Sequence, residues 1–155
     1  VIKSYQIVFG DVKNPEFMDA LRRCLYKEGL DYDITMRKLF GRTVLIIRIR
    51  TGEKCCKKIF VSLTPPSYES SDIYINGFFD DRVYSSKNVF CVDARKIARK
   101  FECGEEYPML GALARLGIYS LATIISEIYR SHNRIDAHKR VLAIKEGFKA
   151  IKTPV

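Results

Sequence analysis

The chain of 155 residues contains no tryptophan, only two histidines and five prolines, and no apolar run approaching the roughly 18–20 residues that cross a bilayer. The last of these absences excludes a transmembrane helix of the usual kind. The five cysteines (Cys24, Cys55, Cys56, Cys91 and Cys103) are odd in number and show no Cys-x-x-Cys spacing, which argues against a closed disulfide framework. His132 and His138 stand far from them, so no zinc ligand set is recognisable. Buried or weakly reactive thiols are the ordinary expectation. No repeat, linker or low-complexity tract divides the chain, so residues 1–155 are expected to form a single domain. The sequence opens on Val1 with no signal-like apolar segment behind it, which leads to the expectation of a processed or excised product.

What is present suits a folded core. Hydrophobic residues make up 47% and charged residues 29%, a balance outside the disordered range. Twenty-seven Lys and Arg against 18 Asp and Glu leave a net charge of +9. Such an excess favours anionic partners and salt-sensitive association, without naming a chemistry.

The N-terminal half reads as strands around one helix. Ser4 to Phe9 is rich in β-formers. Asn14 and Pro15 then form a helix start, Phe17, Leu21, Cys24 and Leu25 recur on one face, and Gly29 ends the pattern. Val44–Arg50, Lys58–Leu63 and Asp72–Phe78 are strand-like, the first two closed by Thr51-Gly52 and by Thr64-Pro65-Pro66. Alternation places Tyr74, Asn76 and Phe78 on one face of the third. Val83-Tyr84 and Val89–Val92 are further strand candidates. Beyond Asp93 the pattern turns helical, over Ala94–Phe101, Glu106–Leu116, Tyr119–Ser131 and about Arg134–Lys152. Strands first and helices after predict an α+β fold, a mostly antiparallel sheet followed by a helical C-terminal half.

Four local patterns stand in one order along this framework: the opening strand with its Phe17–Leu25 helix; Tyr74-Ile75-Asn76-Gly77-Phe78; Gly104-Glu105-Glu106-Tyr107-Pro108-Met109-Leu110; and Ile125-Ser126-Glu127-Ile128-Tyr129-Arg130. Gly147-Phe148 and Thr153-Pro154-Val155 close the series. In this order they resemble the ribosome-inactivating protein family, with its Tyr-hydrophobic-x-Gly-aromatic strand, its Gly-x-x-Tyr-x-x-Leu segment and its Ser-Glu-x-x-Arg helix. Tyr107 and Glu127 are only 20 positions apart and the family's downstream tryptophan is missing, so the resemblance is to a shortened or fragmentary member.

The resemblance implies an rRNA N-glycosylase, a depurinating hydrolase acting on the sarcin–ricin loop, with a toxin or plant-defence role and inhibition of protein synthesis. It implies catalysis by Glu127 and Arg130 and base stacking between Tyr74 and Tyr107. These residue types suit the chemistry. Tyrosines can sandwich a flipped purine, at about 1–3 kcal/mol per stacked base. Arg130 would stabilise charge on the departing adenine, and Glu127 would offset an oxocarbenium-like sugar and orient water. No cofactor or metal is implied. The implied partner is the ribosome through large-subunit rRNA, with no membrane, and with room for a second chain or a missing C-terminal segment. Arg95, Lys96, Arg99 and Lys100 would grip phosphates. Secretion or release from a precursor, with action on cytosolic ribosomes, follows from the same resemblance.

Alternatives stay open. In a second register Leu116-Gly117, Leu121, Ile125 and Tyr129 match the helix before the catalytic one, and Glu146 with Lys149 replaces Glu127 with Arg130. A Glu-x-x-Arg pair on a helix is ordinarily a surface ion pair. The same basic surface also suits a non-catalytic RNA-binding domain, or an interaction protein whose partner is acidic.

Overall fold

The computed structural model describes residues 4–10, 15–39, 42–50, 56–62, 73–76 and 89–151. Six strands and five helices lie among them: β1 Ser4–Gly10, α1 Pro15–Lys27, β2 Asp31–Leu39, β3 Arg42–Arg50, β4 Cys56–Ser62, β5 Ile73–Asn76, β6 Val89–Cys91, α2 Ala94–Phe101, α3 Glu106–Arg115, α4 Leu121–Ser131 and α5 Arg134–Ala150. This is the expected α+β layout. Asn14, Cys55, the turns at Thr51-Gly52 and Thr64–Pro66, the Gly77-Phe78 end of the third expected strand, and the Val83-Tyr84 strand candidate all lie outside the described residues.

The strands form one sheet in the order β2-β3-β1-β4-β5-β6. The long ladders β2–β3 and β3–β1 are antiparallel, while β1–β4, β4–β5 and β5–β6 run parallel. β2 is an element that the sequence reading did not anticipate. It alternates all the same: Asp31, Asp33 and Thr35 are exposed, and Tyr32 and Ile34 are half-buried against the core. Its charged outer face masks the period of two that marks a half-buried strand. β3 alternates more visibly, with Ile47 and Ile49 buried and Arg48 exposed between them.

The helical half is organised by local caps and one buried helix. Asp93 accepts from the Lys96 N–H, Ser120 from the Thr123 N–H and Asn133 from the Asp136 N–H, so α2, α4 and α5 each begin on a side-chain cap. α3 lies inside, and every residue from Tyr107 to Ala114 is buried. With Ala20, Leu21, Cys24 and Leu25 of α1, Ile47 and Ile49 of β3, and Ile124, Ile128, Val141 and Ile144 of α4 and α5, it forms one continuous core among the described residues. Tyr119 is buried too, and its hydroxyl donates to the Leu110 carbonyl at 2.6 Å.

α3 and α5 approach backbone to backbone. A Cβ placed on Gly111 would strike the Ile144 carbonyl of α5, and one on Gly147 would strike the Pro108 carbonyl of α3. Gly111 therefore does not merely interrupt a helix; it is half of a crossing point. In an exposed helix Gly→Ala stabilises by about 0.8–1 kcal/mol. Here overpacking should reverse the sign. Gly147→Ala should destabilise by about 2–3 kcal/mol in urea-induced unfolding followed by circular dichroism. A stability equal to or above that of the parent would show that the crossing is looser than described.

Candidate functional site

The residues singled out in the sequence separate into different environments. Glu127 sits on α4 facing α1 and is fully buried. Its Oε2 accepts from Arg23 Nε at 2.8 Å, and Lys27 Nζ lies 2.5 Å from Oε1. The Lys27 contact is an ion pair without the alignment of a good hydrogen bond, for Oε1 has no geometrically satisfied donor. Burial pushes the carboxyl pKa up, but Lys27 and Arg23 outweigh it and hold the group below its ordinary value. Just past the end of α1, Glu28 accepts from the Ser120 N–H at 2.9 Å and the Thr123 hydroxyl at 2.8 Å. The Ser120 and Thr123 donors lower its pKa. Arg23, Lys27 and Glu28 thus meet Glu127, Thr123 and Ser120 along a polar seam between antiparallel helices.

Arg130 is exposed, three positions beyond Glu127. Tyr107 is fully buried on α3: its hydroxyl lies 3.4 Å from His132 Nε2, and the Arg140 guanidinium is stacked 5.2 Å from its ring centroid. His132 in turn is held by the Ser131 hydroxyl at 2.9 Å and the Ile128 carbonyl at 3.1 Å, both from Nδ1. Tyr74 occupies β5, in register with Phe60 and Val89; its side chain is outside the described residues. The four do not form one described cleft. Glu127 turns to α1, Tyr107 turns to α5, and Arg130 turns to solvent. In the second register, Glu146 is half-buried and pairs with Lys100 at 3.5 Å, whereas Lys149 is exposed.

The basic face of α2 is partly neutralised within the molecule. Arg95 pairs with Glu105 at 3.3 Å, and Lys100 with Glu146. At the end of the same helix Glu102 adopts a left-handed conformation, φ 54°, and accepts from Lys139 of α5 at 2.7 Å. That hydrogen bond lowers the pKa of Glu102 and raises that of Lys139. Among the described cysteine side chains, burial pushes the Cys24 thiol up to about 12, reinforced by Glu28 and Glu127. Cys103 is raised to about 11, burial outweighing the opposing Arg140. Both stay protonated at neutral pH and are poor nucleophiles. Among the described residues, no group of three His, Cys, Asp or Glu is placed to hold a metal ion, and no helix is long and apolar enough to cross a membrane.

A concave surface opens elsewhere, at the corner where α4 passes into α5. Tyr129, Arg134, Ile135, His138 and Lys139 line a groove of about 740 Å³. Sequence reasoning placed none of these in a site except Tyr129, and that only as a helix-matching position. Two large apolar side chains off the buried stripe, flanked by cations, were the signal available.

Comparison with known proteins decides the fold. The sequence matches no protein-family profile. An uncharacterized protein of Archaeoglobus fulgidus is 42% identical over 59 residues, a stretch covering 38% of this chain and 40% of that protein. The structure superposes on the PORC subunit of pyruvate oxidoreductase from Thermotoga maritima with a TM-score of 0.77 at 20% identity, over 97% of this chain and 98% of that one. The gamma subunit of a keto/oxoacid ferredoxin oxidoreductase from Geobacter sulfurreducens gives 0.70 at 11% identity, over the same shares. The chain has the fold of these oxidoreductase subunits.

That likeness overturns the resemblance to ribosome-inactivating proteins. With it go the rRNA N-glycosylase activity, the hydrolase class, the toxin and plant-defence roles and the ribosomal partner, and the RNA-binding alternative is left without support. The geometry supplies the physical reason. A carboxylate enclosed by two cations and a tyrosine enclosed in the core cannot receive a nucleotide without unpacking α1 or α5.

Glu127 therefore has a stability role that pH can report. Its folded-state pKa lies below the unfolded value of about 4.3, so its contribution is present above that value and is lost as pH falls through the folded pKa. Arg23 and Lys27 are 40% and 38% exposed and can rehydrate once the carboxylate is gone. Glu127→Gln should then cost about 1–3 kcal/mol at pH 7, between the values for surface and fully buried pairs. Its stability should also fall less steeply than the parent's as pH drops below 4. Unchanged stability at pH 7 would contradict the seam.

Proposed function

We propose that this chain is a gamma-type subunit of a keto-acid:ferredoxin oxidoreductase assembly, contributing by docking to the other subunits. The observation that carries this reading is the end-to-end correspondence of its fold with the Thermotoga and Geobacter subunits. A match over nearly the whole of both chains involves the complete mixed sheet together with the helical half, and is not the recurrence of a common motif. Identity of 11–20% leaves the reaction and its substrate open, so the reading concerns membership in such an assembly.

The distribution of charge is consistent with a docking role. Of the groups whose pKa values are displaced, Glu28 is bound to the cap of α4, Glu102 and Lys139 to each other, and Glu127 to Arg23 and Lys27. Displaced pKa values often mark catalytic sites, but structural ion pairs displace them as well. Here each displacement has a partner that joins two elements.

Co-expression with the remaining subunits of a keto-acid oxidoreductase from the same organism tests the reading. This chain should co-elute with them in size-exclusion chromatography. Its omission should lower oxoacid-dependent reduction of a viologen dye by at least about tenfold, through loss of assembled enzyme. Separate elution, together with dye reduction that is indifferent to its presence, would overturn the assignment.

A further inference from the structure

Ile135 is 73% exposed and Tyr129 is 46% exposed. Single exposed apolar residues are commonplace, but these two line the same concavity. Neither is a displaced part of the core. On α5 the buried stripe runs through Ala137, Val141 and Ile144, and Ile135 lies off it. Ile135, His138 and Lys139 follow i, i+3, i+4 spacing and share one helix face. Tyr129, from the last turn of α4, lines the groove with them, and Arg134 flanks Ile135.

The charged side chains that line this groove are cationic, with Glu102 and Asp136 beside Lys139. Lys139 is positioned by its hydrogen bond to Glu102. Arg134 is exposed and has no carboxylate partner among the described residues. Among the described residues none that lines the groove is acidic, and the chain as a whole carries +9. An apolar floor with a cationic border complements a segment that is acidic and carries an aliphatic or aromatic anchor.

We propose that this α4–α5 groove docks an acidic segment of a neighbouring subunit. An apolar side chain of that segment inserts between Tyr129 and Ile135, and its carboxylate faces Arg134. The identity of the neighbour rests on the subunit reading above; the chemistry of the segment rests on the groove. Of the contacts, Ile135 is the anchor, because it is the more exposed of the two apolar side chains that line the groove. Arg134 provides attraction and selects against basic partners.

The experiment uses the full chain with its co-expressed partner subunits and measures assembly affinity by biolayer interferometry at several salt concentrations. Ile135→Asp should weaken assembly about 10–100-fold, as removal of an anchor does. Arg134→Glu should weaken it about tenfold and flatten the salt dependence. Ile135 and Arg134 are exposed, so both variants should keep the parental melting temperature; Ile135→Ala provides a milder version should Ile135→Asp fold poorly. Arg48→Glu, a charge reversal on the sheet, should leave affinity unchanged. If Arg48→Glu weakens assembly as much as Arg134→Glu, the attraction is diffuse and the groove is not its seat. Variants that assemble like the parent would overturn the groove and leave the subunit reading intact. A parent chain that binds no partner subunit would remove the subunit reading and, with it, this assignment. If sedimentation shows that the parent self-associates through Ile135 instead, a second copy is the occupant and the acidic partner is wrong.

Discussion

The close approach of α3 and α5 at Gly111 and Gly147 is the constraint on which the helical half depends. Where each helix lacks a side chain the other presents a carbonyl, so the two axes come nearer than side-chain packing would permit. This proximity buries α3 from Tyr107 to Ala114. It also brings Arg140 over Tyr107 and Arg115 over Phe148, each cation 5.2 Å from a ring centroid. α2 is then tied to α5 twice, through Lys100–Glu146 and Lys139–Glu102. A single methyl group at either glycine would act on all of these contacts.

Glu127 illustrates how one motif can carry two meanings. Ser-Glu-x-x-Arg on an amphipathic helix matches the residue types of a glycosidic acid–base pair, and it matches equally well a helix edge that meets a second, basic helix. Which applies depends on what lies opposite. Arg23 and Lys27, about a hundred positions earlier, occupy that place. Their charges compensate for burial of the carboxylate, which would otherwise be strongly unfavourable. Arg130, on the remaining side, faces water. Cys24 lies near the same seam, and its raised pKa reflects burial together with the negative charge of Glu28 and Glu127.

The two ends of α4 thus behave differently. Its N-terminal part is closed against α1 by Glu28, which caps Ser120 and Thr123, and by the Glu127 cluster. Its C-terminal end, where it meets α5, presents Tyr129 outward beside Ile135 and a row of cations. Polar groups are satisfied internally at one end, whereas Tyr129, Ile135 and Arg134 stand exposed at the other, the kind of surface on which a partner can dock.

Local chemistry was legible in the sequence wherever neighbours along the chain decide the outcome. Pro15 and Gly29 bracket α1 and Asp93 precedes α2 as expected, because capping and φ preferences act within about four residues, whereas the Ser120 and Asn133 caps of α4 and α5 were not anticipated. The α+β order follows from hydrophobic periodicity, and so does the existence of the Val44–Arg50 strand, in which Ile47 and Ile49 are buried. β2 escaped notice because Asp31, Asp33 and Thr35 face solvent and dominate its composition. The strand order β2-β3-β1-β4-β5-β6, the glycine crossing and the role of Glu127 were settled only by tertiary structure. Each depends on groups far apart in the chain, and which of them meet depends on the packing of whole elements, for which short-range spacing carries no signal.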